Sequence, residues 1–135
     1  MNKLKILLTI IGIVQIVLGL LYLFIPMQFL NMNGHTVPAA DIAYPLAMLA
    51  ARFLAYGIGM LFIARNPADN IFWIYNMIFI QIVDLAAGIL YTATGVVDWH
   101  FALLPMVNAS IFIILLWFWR PRIDEQARRE VAPAD

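Results

Sequence analysis

Four apolar stretches, each about 20 residues long, constrain the fold of this chain more than any other feature. They cover, approximately, residues 4–25, 44–64, 71–94 and 101–119. Roughly 20 helical residues cross the hydrocarbon core of a bilayer, where no water can satisfy free backbone groups. The stretches lack the alternating pattern of barrel strands. The sequence therefore predicts an all-α integral membrane four-helix bundle over residues 1–120, followed by a cytoplasmic tail at 121–135.

The composition also indicates that lipid surrounds most of the chain. Of its 135 residues, 64% are hydrophobic and only 12% are charged, more apolar surface than a soluble domain of this size can bury. The chain contains no cysteine, which excludes disulfides, thiolate metal sites and cysteine nucleophiles. It also has no phosphate-binding glycine loop, nucleophile elbow or dinucleotide fingerprint. We therefore favour a non-enzymatic protein that takes no cofactor and binds no nucleic acid.

Lysine and arginine are distributed unevenly between the two ends of the predicted helices. The connections 26–43 and 95–100 contain neither residue. At the opposite ends of the helices there are seven: Lys3, Lys5, Arg65, Arg120, Arg122, Arg128 and Arg129. Because basic residues stay on the cytoplasmic side, both termini are predicted to be cytoplasmic. We expect a multi-pass protein of a bacterial inner (plasma) membrane.

Two of the predicted helices contain similar ten-residue segments. Residues 13–22 read IVQIVLGLLY and residues 82–91 read IVDLAAGILY, with five of ten positions identical. Both segments would run from the cytoplasm outward. Chance similarity between apolar segments is one explanation, and duplication of a helical hairpin is the other. We favour two parallel-repeated hairpins.

Each predicted helix contains one strongly polar residue near the middle of the bilayer. At about 1.5 Å per residue, these four residues lie about 11–15 Å from the outer helix ends. We call them the polar layer and expect it to be buried in the bundle: Gln15, Arg52, Asp84 and Asn108. A lone charge at this depth costs about 2.5–3.5 kcal/mol, so an Arg52–Asp84 pair is expected. In the second helix, Ala47, Ala51, Ala55 and Gly59 recur at spacing four and predict close packing of that face in the bundle interior.

Two functions are compatible with the polar layer. In the first, which we favour, the layer fixes helix register in an accessory or structural subunit of a larger membrane complex. In the second, it anchors a lipophilic small molecule (a quinone, an aromatic compound or a lipid) in a binding or transport protein. The site would lie in the outer half of the bundle, with candidate lining residues Tyr22, Met48, Tyr56 and Tyr91. The partners expected are the bilayer, other membrane proteins or further copies of the chain, and in the second case the small molecule.

Two histidines in the outer connections are weak metal candidates. His35 and His100 lie near Asp41 and Asp98 in sequence, but nothing has ligand spacing such as His-x-x-x-His. We interpret both as solvated loop residues and predict no metal site.

Three segments resemble a family of small bacterial four-helix membrane proteins described as BphX-like, a domain of unknown function. They are GLLYLFIP at 19–26, AARFLAYGIGMLFIARNP at 50–67, and the final WRPR motif. The resemblance covers most of residues 4–120. It implies a bacterial inner-membrane location and a four-helix bundle, and it supplies no catalytic residues.

Overall fold

The structure, a computed structural model, describes residues 2–36 and 39–121 and consists of helices and their connections. In chain order the helices are α1 (Asn2–Phe24), α2 (Pro26–Met32), α3 (Ala43–Ile63), α4 (Ile71–Ala93) and α5 (Trp99–Trp119). Short 3-10 turns at Ala40–Ile42 and Pro67–Asn70 precede α3 and α4. Residues 122–135 of the predicted tail lie outside the described residues.

The all-α fold and the four long apolar helices are confirmed. α1, α3, α4 and α5 are each long and apolar enough to cross a membrane, which indicates a multi-pass membrane protein. Their ends differ from the predicted ends by at most two residues. Large apolar side chains such as Phe24, Phe62 and Phe118 are exposed on the isolated chain, as contact with lipid requires.

Proline, glycine and aspartate determine where several helices begin and end. Pro26 occupies the first position of α2. Gly34 and Gly95 follow α2 and α4 with φ angles of 77° and 71°, a region that glycine enters without a Cβ clash. The Asp98 side chain accepts a hydrogen bond from the His100 backbone N–H at 2.9 Å and caps the start of α5.

α1 and α3 pack antiparallel through small residues that bring their backbones together. A Cβ built on Gly57 would lie 2.9 Å from the Gly12 carbonyl oxygen and 3.0 Å from the Ile16 backbone nitrogen. Further along the same contact, a Cβ on Gly19 would lie 3.2 Å from the Ala50 carbonyl oxygen. Only residues without a large side chain permit such an approach.

The small-residue stripe predicted for the second membrane helix, which is α3, does not form this contact with α1. Ala51 and Ala55 are exposed, and no atom lies within 4 Å of a Cβ built on Gly59. The prediction that the stripe packs in the bundle interior is therefore wrong. The reason is rotational, because α1 contacts the neighbouring face of α3 that carries Ala50 and Gly57.

The long helices run alternately up and down and follow the order α1, α3, α4, α5 around the bundle. α1 packs against both α3 and α5, and α4 packs against α5. α3 faces α4 through a hydrogen bond from Asn76 Nδ2 to the Tyr56 hydroxyl, 2.9 Å long. The α1–α5 edge and the α3–α4 edge are therefore opposite sides of the bundle.

The two halves of the bundle are packed differently. We call the end that holds Lys3, Arg65 and Arg120 the basic end, and the opposite end, with residues 25–36, 39–42 and 94–98, the loop end. The basic half contains the hydrophobic core: Leu4, Leu7, Leu8, Ile11, Met60, Ile63, Ala64, Ile74, Met77, Ile78, Phe112 and Leu116. Toward the loop end, the buried apolar side chains among the described residues are only alanines: Ala50, Ala102 and Ala109. The loop half therefore has no large side chain to fill its centre.

We expect Gly57→Ala to lower the free energy of unfolding by about 1–3 kcal/mol, because the added methyl group forces the α1 and α3 backbones apart. The control is Gly59→Ala on the same helix. It should leave stability unchanged or raise it by up to about 1 kcal/mol, since the space there is open and alanine favours the helix. Unfolding of the detergent-solubilised protein by SDS, followed by tryptophan fluorescence, measures both variants. Equal stabilities would contradict a backbone contact at Gly57.

Candidate functional site: a polar cavity in the loop half

A cavity of about 850 Å³ occupies the loop half of the bundle. All four long helices contribute to its walls, and Phe29, Met32 and Phe101, from α2 and the start of α5, border it at the loop end, the part that we call its mouth. Phe112, a member of the hydrophobic core, borders the cavity on the side of the basic end, so that the core forms its floor. Small-molecule sites in proteins have volumes of roughly 300–1,000 Å³, a range that includes this cavity.

The structure brings the whole polar layer to this cavity. Gln15 from α1, Arg52 from α3, Asp84 from α4 and Asn108 from α5 all line it. Gln81, one turn before Asp84 on α4, lines it as well and is buried. Four helices thus direct polar side chains into one space at the middle of a bundle whose outer surface is apolar.

Arg52 and Asp84 form an ion pair across the α3–α4 edge. A guanidinium nitrogen of Arg52 lies 3.9 Å from a carboxylate oxygen of Asp84, which is longer than a hydrogen bond. The two side chains are 49% and 43% exposed, so the expectation of a fully buried pair is wrong. Both side chains border an open cavity instead of packed protein, which leaves their remaining donors and acceptors accessible from within it.

The amide side chains of the layer have no hydrogen-bond partner among the described residues. Gln15 is only 6% exposed, whereas Asn108 is exposed, so the expectation of a buried layer is wrong for Asn108 as well. Neither amide bonds to another protein group there. Gln81 donates only to the Met77 sulfur, at 3.6 Å, and a thioether is a weak acceptor. An unsatisfied amide in an apolar medium is costly, with estimates of about 2–7 kcal/mol. These groups need water or the polar group of a ligand in the cavity.

Aromatic rings form the wall of the cavity toward the loop end. The Tyr22 ring stacks on Phe53 with centroids 5.8 Å apart and an angle of 6° between planes. Its edge meets Phe29 at 5.0 Å and 89°, which ties α2 to α1. His35 lies 6.2 Å from Phe101 at the mouth. The cavity therefore combines a polar middle with an aromatic entrance.

Of the four candidate lining residues, only Tyr22 borders the cavity. The cavity face of α3 runs through Leu49, Arg52 and Phe53, and Met48 falls on the neighbouring exposed face. Tyr56 instead bonds to Asn76, on the basic side of the ion pair. Tyr91 is exposed on the outside of α4. Met48, Tyr56 and Tyr91 are therefore corrected to positions outside the cavity wall.

The two histidines lie at the mouth of the cavity. His35 and His100 both border it, and the His100 ring lies against Trp99 with centroids 3.8 Å apart. Within the part of the chain that the structure describes, no group of three or more His, Cys, Asp or Glu residues can hold a metal ion. His100 belongs to the first turn of α5 and not to a loop, and both rings border the cavity as aromatic and hydrogen-bonding groups.

Sequence reasoning missed the contribution of α2 to the site. The segment that follows Pro26 contains Phe29 and Met32 among polar residues, a pattern typical of a short amphipathic helix, and α2 begins at Pro26. Its Phe29 and Met32 turn toward the cavity, together with Phe101 from α5. The amphipathic pattern of residues 26–32 was the available signal, but it does not distinguish a lipid-facing surface from a cavity-facing one.

Comparisons with known proteins do not identify a relative of this chain. No family model matches it, and neither a curated protein nor a solved structure matches it. The resemblance to BphX-like proteins stays a prediction. Any function must therefore be inferred from the cavity and its residues.

We expect Arg52→Ala to destabilise the protein by about 1 kcal/mol more than the double variant Arg52→Ala/Asp84→Ala. The single change leaves a carboxylate without its counter-charge at the middle of the bundle, whereas the double change removes both charges. SDS unfolding of the purified variants, with Asp84→Ala alone completing the cycle, gives the coupling energy. Additive effects of the two single changes would show that Arg52 and Asp84 do not stabilise each other.

Proposed function

We propose that this protein binds a lipophilic small molecule in the loop-half cavity and holds its polar group at the polar layer. The observation that carries the proposal is the set of hydrogen-bonding groups without protein partners that line an 850 Å³ space. A layer that served only to join helices would be expected to consume its own donors and acceptors. Here Gln15 and Asn108 keep theirs free among the described residues, and the ion pair is loose at 3.9 Å.

The apolar and aromatic parts of the cavity support a lipophilic ligand. Leu18, Leu49 and Leu104 line the cavity between the polar layer and the mouth, with the Tyr22–Phe53 stack beside them. Burying apolar ligand surface against such walls contributes roughly 25 cal/mol per Å². The polar layer then fixes the orientation of the ligand, as a few placed polar groups do in most small-molecule sites.

The favoured accessory-subunit role stays a prediction beside this one. The apolar exterior of the four long helices suits a partner protein, and it suits lipid equally. The cavity, in contrast, is specific to the binding hypothesis, and we therefore place ligand binding first. We propose no catalytic step.

Native mass spectrometry of the tagged protein, extracted gently from its own membrane, tests the function directly. We expect a chain that carries a defined small mass. In Leu18→Trp/Leu49→Trp the indole rings occupy the part of the cavity beside the polar layer, where the apolar part of the ligand would lie, and the mass should be lost. The matched control Val17→Trp/Met48→Trp changes the neighbouring residues, which do not line the cavity. This control variant should keep the bound small mass. A wild-type chain without any small mass, or retention in both variants, would overturn the proposal. Bound protein chains alone would support the subunit role.

We further propose that the loop end faces outward from a bacterial inner membrane and that both termini are cytoplasmic. The support is the distribution of basic residues, since Lys3, Lys5, Arg65 and Arg120 all belong to the basic end. The cavity mouth would then open toward the outer surface. The two helical hairpins, α1 with α3 and α4 with α5, would be the products of the proposed duplication.

The absence of native cysteine makes the orientation easy to measure. Asn2→Cys and Val96→Cys each place one thiol at an exposed position, at the basic end and the loop end respectively. A membrane-impermeant maleimide applied to intact spheroplasts should label Val96→Cys and leave Asn2→Cys unmodified until the membrane is permeabilised. The reverse pattern would place the termini outside.

A further inference from the structure

The polar groups of the cavity lie on two opposite edges of the bundle. Arg52 and Asp84 belong to the α3–α4 edge, and their ion pair joins it. Gln15 and Asn108 come from α1 and α5, which pack against each other on the opposite side. All four border the same cavity at a similar depth. A bound molecule that makes polar contacts at both edges must carry polar atoms on two opposite sides.

The charge of the layer also restricts the ligand. Arg52 and Asp84 balance each other, and the amides of Gln15 and Asn108 are neutral. An anion would meet the Asp84 carboxylate only 3.9 Å from the guanidinium that attracts it, and a cation would meet Arg52 in the same way. Removing water from a net charge inside the bundle costs free energy, and no unpaired charge of opposite sign is present to offset that cost. The site therefore favours a neutral group.

A hydroxyl group matches each edge. It can accept from the Arg52 guanidinium and donate to the Asp84 carboxylate at once, because it has one donor and two lone pairs. At the other edge, an amide offers both an N–H donor and a carbonyl acceptor to a second hydroxyl. Between the edges, aromatic side chains such as Phe53 and Phe112 border the space. They suit a flat ring, since aromatic pairs add favourable stacked or edge contacts.

We propose that the ligand is a neutral aromatic ring with hydroxyl groups on opposite sides, of the 1,4-dihydroxybenzene class, that carries an apolar chain. This inference rests on the proposed function and specifies its ligand. One hydroxyl lies between Arg52 and Asp84, and the other bonds to the amides of Gln15 and Asn108. The chain extends along the leucines toward the mouth. No change in the oxidation state of the ring is part of the proposal.

A ligand series with a constant tail tests the inference on the wild-type protein. The probes are decylbenzene, 3-decylphenol and 2-decyl-1,4-dihydroxybenzene, the last kept reduced without oxygen. Native mass spectrometry in detergent, at equal ligand mole fractions, gives the bound fraction and the apparent Kd for each. Each hydroxyl that bonds at its edge should lower the Kd by at least about tenfold, because hydrogen bonds to charged or desolvated groups are the strong ones.

Two neutral double variants assign the hydroxyls to the edges. Arg52→Met/Asp84→Leu removes the first edge without leaving a charge, and Gln15→Met/Asn108→Leu removes the second. Each should reduce the affinity of the dihydroxy compound to about that of the phenol. Decylbenzene is the folding control, because a folded variant with more apolar walls must bind it at least as tightly as the wild type does. If a double variant fails that control, Asp84→Leu and Asn108→Leu alone serve, since leucine nearly keeps the shape of both side chains and has no hydrogen-bonding group.

The outcomes separate the two proposals. Equal Kd values for the three probes would overturn the head-group inference and leave the cavity a lipophilic binding site. Failure of every probe, together with no co-purified mass, would overturn ligand binding as well. A hydroxyl gain that survives both double variants, or that depends on only one edge, would overturn the assignment to opposite edges. A co-purified phospholipid in place of a ring compound would overturn the ligand class.

Discussion

A hydrogen-bonding group inside a hydrocarbon layer must find a partner, and the rest of this structure depends on how that requirement is met. The backbone meets it with helices, which is why the chain forms four long apolar ones. Tyr56 and Asn76 meet it with each other, across α3 and α4. The polar layer meets it only in part, through one ion pair. The remaining donors and acceptors open onto a cavity, and this incomplete pairing distinguishes the loop half from an ordinary packed bundle.

The division into a packed half and a hollow half makes such a cavity sustainable. The core of the basic half joins all four helices through residues such as Leu8, Met60 and Leu116. The close approach of α1 and α3 at Gly12 and Gly57 locks one helix pair along its length. With the helices fixed there, the loop half can leave its centre unfilled without collapse. A large apolar residue in place of Ala109 would extend the core into the cavity and reduce the cavity volume.

Hydropathy and helical rise were sufficient to predict the helices and the depth of Gln15, Arg52, Asp84 and Asn108, because both depend only on distance along one helix. The cavity wall was not predictable in the same way. It depends on which helices pair and on the rotation of each helix about its axis. Small residues that recur every four positions can face lipid as readily as a neighbouring helix. Met48 illustrates the limit, since it shares a stretch of α3 with Arg52 but lies outside the cavity face. Phe29 illustrates the converse, because its inward direction follows from the Tyr22 contact and not from its own pattern.

Fixing helix register and binding a ligand make different demands on the polar layer. In the observed arrangement, helix register already follows from the glycine contact between α1 and α3 and from the core of the basic half. An ion pair 3.9 Å long, with both side chains nearly half exposed, adds little to that rigidity. Yet each charged residue costs about 2.5–3.5 kcal/mol to insert at this depth. Other residues already determine the geometry of the bundle. The insertion cost of the two charges must therefore be offset by something other than helix register. The proposed recognition of a neutral polar group inside the cavity would offset that cost, since it uses the donors and acceptors that the protein itself leaves free.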